Sequence, residues 1–295
     1  MRKHLCIPLS FLTLLSSCLG EDDEETVDLE APTISADAGG NIQPEYFYNT
    51  SPDNGQIPVA FVVQDATGIQ EVLMEAHSGF DGHTHGKSIS ARNPKFKLFN
   101  HNHVIRAESM DDPTRFTYSS NIYLDERNPE IEEDELFLAG PYHFSIQATD
   151  VEGNQTTYGD DTIYHTTVYI NKPYAPQAEI TTLNIAEGSI SGRIYRNMDH
   201  AASSDITFLW IYVQEPNTEN PDQEGEILEE RLWGQSNWPH QFRPNQGDAL
   251  PNAQELDMAQ LLANDQDFFE VLQGNKLVVW AEDTNGNISV TQFNN

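Results

Sequence analysis

The chain has 295 residues with 15 Lys+Arg against 47 Asp+Glu, a formal net charge of −32. A field of that sign repels nucleic acid and anionic surfaces, which excludes a nucleic-acid partner, and it attracts cations and basic partners. Its two cysteines, Cys6 and Cys18, lie near the N-terminus, so the remainder has neither a disulfide framework nor a thiolate metal site.

In chain order, Arg2 and Lys3 precede an apolar run, Leu5 to Leu15, that is too short to span a bilayer. It ends in Leu15-Ser16-Ser17-Cys18. This resembles the lipobox of bacterial lipoproteins, which implies cleavage before Cys18, lipid attachment at Cys18 and loss of residues 1–17 as a signal peptide. Residues 18–30 follow as a tether with five consecutive acids, Glu21 to Glu25, which cannot pack and stay solvated. Acidic runs at this place also resemble the surface-export signal of some Gram-negative lipoproteins. The expectation is an exported outer-membrane lipoprotein at the cell surface, touching the membrane through its lipid anchor only.

The rest reads as all-β: two immunoglobulin-like β-sandwich domains in tandem, over 31–172 and 173–295, each opened by an Ala-Pro dipeptide (Ala31-Pro32, Ala175-Pro176). In the first domain, Val59 to Val63 leads into Ile69 to His77. In the second, Ile190 to Tyr195 leads into Ile206 to Val213. A repeat ties the two together: Ala148-Thr-Asp150-Val-Glu-Gly153-Asn154 matches Ala281-Glu-Asp283-Thr-Asn-Gly286-Asn287 at identical spacing. Asp at the turn, with Gly and Asn tolerating positive φ, reads as a hairpin turn first and as a calcium site second. The second domain holds an insertion over about 215–274, with helical patterns around Glu255 to Ala263 and Asp267 to Gln273.

The first domain concentrates histidine. His77-Ser-Gly-Phe80-Asp81-Gly82-His83-Thr-His85-Gly86 is followed by His101-Asn-His103, and later by His143. Strand parity sharpens this. Val72, Met74 and Ala76 face inward, so Leu73, Glu75 and His77 face out; likewise Tyr142, Phe144, Ile146 and Ala148 face inward and His143 faces out. If the two strands are antiparallel neighbours, His77 and His143 meet at one end of one outer face, where the loop bearing His83 and His85 leaves. His101 and His103 are expected to fold back over it. Neutral imidazole suits zinc and copper, and Asp81 serves as a ligand or as an acceptor that orients one. The candidate metal set is therefore His77, His83, His85, His101, His103, His143 and Asp81, with zinc first and copper second; calcium, at the repeated aspartate turns, is a lesser expectation. His165 falls at the far end of its strand and is left out. The plain alternative is a set of polar loop residues on a soluble face.

His77 to Gly86, with Gly140-Pro-Tyr142-His143-Phe144 and the Asp150 hairpin, resembles a bacterial lipoprotein family catalogued as domain of unknown function 4625. The resemblance covers the first domain, places the family's histidines on His77, His83, His85 and His143, and implies an exported lipoprotein with an immunoglobulin-like fold. It implies no settled activity.

No complete catalytic motif is present: there is no His-Glu-x-x-His helix and no Gly-x-Ser-x-Gly elbow. The reading is a non-enzyme that captures a transition-metal ion at the surface, with an outer-membrane transporter as the partner receiving it. Two other classes stay open. One is a metal-dependent hydrolase. The other is an adhesion or glycan-binding module using an aromatic outer face on the second domain, Phe208, Trp210, Tyr212 and Trp280. The expectation for that face is that the insertion covers it; the alternative is an exposed docking surface.

Overall fold

A computed structural model of the chain describes residues 28–53, 55–80, 93–217, 224–238 and 243–293. The protein is mostly β. The first nine strands are β1 (Thr33–Ser35), β2 (Gln56–Gln64), β3 (Ile69–Ser78), β4 (Phe96–Lys97), β5 (His101–Arg106), β6 (Arg115–Tyr123), β7 (Leu136–Phe137), β8 (Gly140–Asp150) and β9 (Tyr164–Ile170). They form a sheet β1-β2-β6 facing a sheet β5-β3-β8-β9, with a small parallel pair β4-β7. Alternation explains the facing. Ile57, Val59 and Phe61 on β2 and Val72, Met74 and Ala76 on β3 are buried, as are Tyr142, Phe144, Ile146 and Ala148 on β8.

The second half has β10 (Gln177–Asn184), β11 (Ser189–Tyr195), β12 (Ile206–Gln214), β13 (Ile227–Gly234), β14 (Glu255–Asp257), β15 (Lys276–Asp283) and β16 (Ile288–Phe293), with two short helices, α1 (Met258–Leu261) and α2 (Gln266–Leu272). Sheet β10-β11-β14 faces sheet β13-β12-β15-β16. The first helix starts later than its sequence pattern suggests, whereas the second falls within a residue of its expected bounds. Glu255 to Asp257 is taken by β14, whose Leu256 plugs the core opposite Ile194. Asp257 and Asp265 then cap the helices, accepting from the N–H groups of Ala259 and Phe268.

Strands β12 and β15 are buried on both faces, which is why they read as near-continuous apolar runs. Leu209, Ile211, Val213, Leu277, Val279 and Ala281 pack on the helices and the opposing sheet. Phe208, Trp210, Tyr212, Val278 and Trp280 belong instead to the core that continues into the first domain. Ile288 N–H donates to the Ala139 carbonyl at 2.8 Å, Asn287 Oδ1 accepts from Ala139 N–H at 3.1 Å, and Asn49 Nδ2 donates to the Val290 carbonyl at 2.6 Å. The two sandwiches therefore share buried surface and buried hydrogen bonds. Gly140, at φ +149°, sits at this junction, where an added Cβ would stand 2.4 Å from the Phe80 ring.

Candidate functional site

Strands β3 and β8 are antiparallel neighbours with His77 directly opposite His143. Residues opposite each other on such a pair share a face, and both rings lie on the outer face, their centroids 5.6 Å apart. Gly79 turns the chain beside them: a Cβ there would come within 2.9 Å of His143 Nε2, so glycine is what lets the backbone pass the ring so closely. His77 Nδ1 is buried with no hydrogen-bond partner among the described residues; the nearest carboxylate, Glu75 Oε1, is 3.7 Å away. Phe80 then packs between Tyr142, at 5.4 Å, and Trp238 of the insertion, at 4.8 Å, so this end of the first domain abuts the second. Asp81, His83 and His85 lie outside the described residues, as does Cys18.

The other two predicted ligands are not on this face. His101 pairs with Ala76 and His103 with Met74, both inward-facing positions of β3. The two histidines thus point between the sheets at the edge of the sandwich, where His101 stacks near Phe99 and His103 lies near Tyr118 of the opposing sheet. The expectation that they fold back over His77 is corrected. The signal was in the sequence: Ile105 is buried, and His101 and His103 share its parity.

Burial, with a smaller push from His103, drives the His101 pKa down to about 4. A depressed histidine pKa means the unfolded chain takes up the proton first. His101 therefore contributes stability that is full above the unfolded value near 6.5 and is lost as pH falls towards 4. Allowing for the ring's partial contact with solvent, the loss is about 1–2 kcal/mol. His101→Gln is expected to flatten the urea-midpoint profile between pH 7 and pH 4; an unchanged profile would refute the assignment.

The aromatic quartet is covered, as expected, and the alternative of an exposed docking surface is not what the structure has. Phe208, Trp210, Tyr212 and Trp280 are at most 5% exposed. The cover is shared: Trp238, Arg243 and Pro244 of the insertion and Phe80 of the first domain gather around Phe208, Trp210 and Trp280. Arg243 lies 4.5 Å over the Trp280 ring.

The repeated turns act structurally. Asp150 Oδ1 accepts from Asn154 N–H at 2.7 Å, and Asp283 Oδ1 accepts from Asn287 N–H at 2.8 Å. Sequence reading missed one grouping: Asp28, Asp65 and Asp150 bring ligand atoms within 4.8 Å of one another, at the opposite end of β8 from His143. Asp28 and Asp65 sit far from Asp150 in sequence, in no recognisable pattern. All three are already used locally, Asp28 by the N–H of Glu30, Asp65 by Thr67 and Gly68 and Asp150 by Asn154.

Fold and site together define an all-β protein of two joined sandwiches with a cross-strand histidine pair at the junction-facing end of the first. The chain belongs to the family described as Domain of unknown function (DUF4625), whose model matches residues 16–163. Among solved structures, it is similar to a tetra-tandem repeat in the extending region of a large adhesion protein, at 9% identity and a TM-score of 0.29. That match covers 90% of this chain and 48% of the other, so the chain spans about half the length of that structure. It is also similar to a Bacteroides ovatus glucan-utilisation protein, SGBP-B, in complex with a mixed-linkage heptasaccharide (14% identity, TM-score 0.23, covering 90% of this chain and 47% of that one). A third is the sialic acid binding region of a Streptococcus sanguinis adhesin (11% identity, TM-score 0.25, covering 90% and 78%). No curated protein matches the chain. Among the described residues, no helix is long and apolar enough to cross a membrane.

Proposed function

We propose that this is an exported lipoprotein, anchored through Cys18 at the cell surface, which captures a transition-metal ion at the His77–His143 end of its first domain and passes it to an outer-membrane transporter. The reading is of a binding protein rather than an enzyme, with zinc first and copper second. One observation carries it: two imidazoles side by side on one face, one of them with a buried, unpartnered Nδ1. Two imidazoles on one tetrahedral zinc, with Zn–N of about 2.0–2.1 Å, place their ring centroids about 5 Å apart, close to the observed 5.6 Å. A buried polar atom without a partner calls for a ligand. Two protein ligands leave positions that His83 and His85, a few residues along the chain, would supply.

The test is elemental analysis of the soluble chain from Leu19 onward, purified without an affinity tag. About one zinc or copper per chain is expected. It should be lost in both His77→Ala/His143→Ala and His83→Ala/His85→Ala, and kept in His101→Ala/His103→Ala. No metal and no uptake on titration, or retention in the first two variants, would overturn the proposal. Fatty-acid labelling that persists in Cys18→Ser would overturn the anchor.

A further inference from the structure

A groove of about 730 Å³ lies along the domain junction, built from residues other than the histidine pair. Its floor is apolar: Leu124, Phe137 and Tyr174 are buried, with Ile131 and Leu136 half-buried above them. Its rim is acidic. Glu132, Glu133 and Asp134 are consecutive and exposed; Glu126, earlier in the same loop, and Asp53, from the loop before β2, join them. The rim loop is held in place. Glu135 N–H donates to the Glu132 carbonyl, the Glu135 carboxylate accepts from Glu132 N–H at 3.0 Å, and Tyr174 OH donates to the Phe137 carbonyl beneath.

The local cations are already committed. Lys172 Nζ donates to the Leu124 carbonyl at 2.8 Å, Arg127 pairs with Asp125, and Lys97 lies 3.6 Å from Glu135. Among the described residues, the five rim acids form no ion pair. They also do not converge as ligands: among the described residues, the carboxylate trio close enough to share an ion is Asp28, Asp65 and Asp150, elsewhere in the molecule. A bare metal ion would ignore the apolar floor, and a nucleic acid or an anionic membrane would be repelled. Spread negative charge above buried apolar side chains suits a chain that alternates the two chemistries.

We propose that this groove docks an extended cationic segment of a partner protein, with Lys or Arg on the rim and apolar side chains on the floor. The experiment is fluorescence anisotropy of a fluorescein-labelled peptide of alternating lysine and leucine, titrated with the soluble chain from Leu19 onward. Glu132→Gln/Glu133→Gln/Asp134→Asn should weaken binding at least tenfold; asparagine at 134 suits the φ of +71° there. Ile131→Ser, and a serine-for-leucine peptide, should each weaken it several-fold, while His77→Ala/His143→Ala should leave it unchanged. Glu187→Gln/Glu215→Gln/Glu270→Gln removes the same charge from exposed sites elsewhere. Equal weakening by that variant would show attraction to the net charge alone and overturn the proposal. So would the absence of binding at low salt, or insensitivity to both floor changes.

Discussion

Trp280→Ala is expected to lower the stability of the whole protein by about 3–5 kcal/mol, the cost of a large buried aromatic and the cavity it leaves. The indole is 4% exposed. It lies 6.1 Å from Trp210, under the Arg243 guanidinium, with Nε1 donating to Glu282 Oε1 at 3.2 Å. Because the core that contains it runs unbroken into the first domain, the loss should reach beyond the second sandwich. Hydrogen exchange should speed up in β3 and β8 as well as in β12 and β15, and urea unfolding should remain a single transition. Protection of β3 and β8 left at the wild-type level would show that the sandwiches unfold independently. Phe80 and Trp238 offer a finer probe of the same seam. Their rings are 4.8 Å apart, and a double-mutant cycle to alanine should return about 1 kcal/mol of coupling.

Much of this fold is written in alternation. Val72, Met74 and Ala76 on one strand and Tyr142, Phe144 and Ile146 on another place His77 and His143 outward, and the register sets them opposite each other. The repeated Asp-x-x-Gly-Asn turns are legible because each carboxylate serves its own backbone a few residues on. What covers a face is not local, and that is where the reading stopped short. Phe208, Trp210 and Tyr212 announce an apolar second face on β12, but they cannot say whether an insertion, another domain or solvent meets it. The strand His101 to Arg106 has a weak pattern of its own, with Ile105 its single buried residue. Its parity is easily set aside in favour of a picture in which all the histidines converge. The Asp28, Asp65 and Asp150 grouping joins three distant segments and leaves no spacing to find.

The largest pH effect is expected at Asp283, where Asp283→Ala should also be the most damaging change at the repeated turns. The carboxylate is fully buried. Its Oδ1 accepts from the N–H groups of Asn285 at 3.0 Å and Asn287 at 2.8 Å, and Asn287 in turn holds Ala139 of the first domain. Alanine would strand two N–H groups and loosen that clasp, a loss of about 2–4 kcal/mol. Burial nevertheless outweighs these hydrogen bonds and pushes the Asp283 pKa up to about 6. A raised carboxyl pKa means the folded chain takes up the proton first, so the contribution is full below the unfolded value near 3.8 and is lost as pH rises through about 6. The shift corresponds to about 2–3 kcal/mol. Asp283→Asn keeps the acceptor and removes the titration. The stability of the wild-type chain relative to Asp283→Asn should therefore improve by that amount as pH is lowered from 8 to 4. Parallel urea-midpoint profiles for the two proteins would mean that Asp283 is ionised throughout, and that the turn carries its charge without penalty.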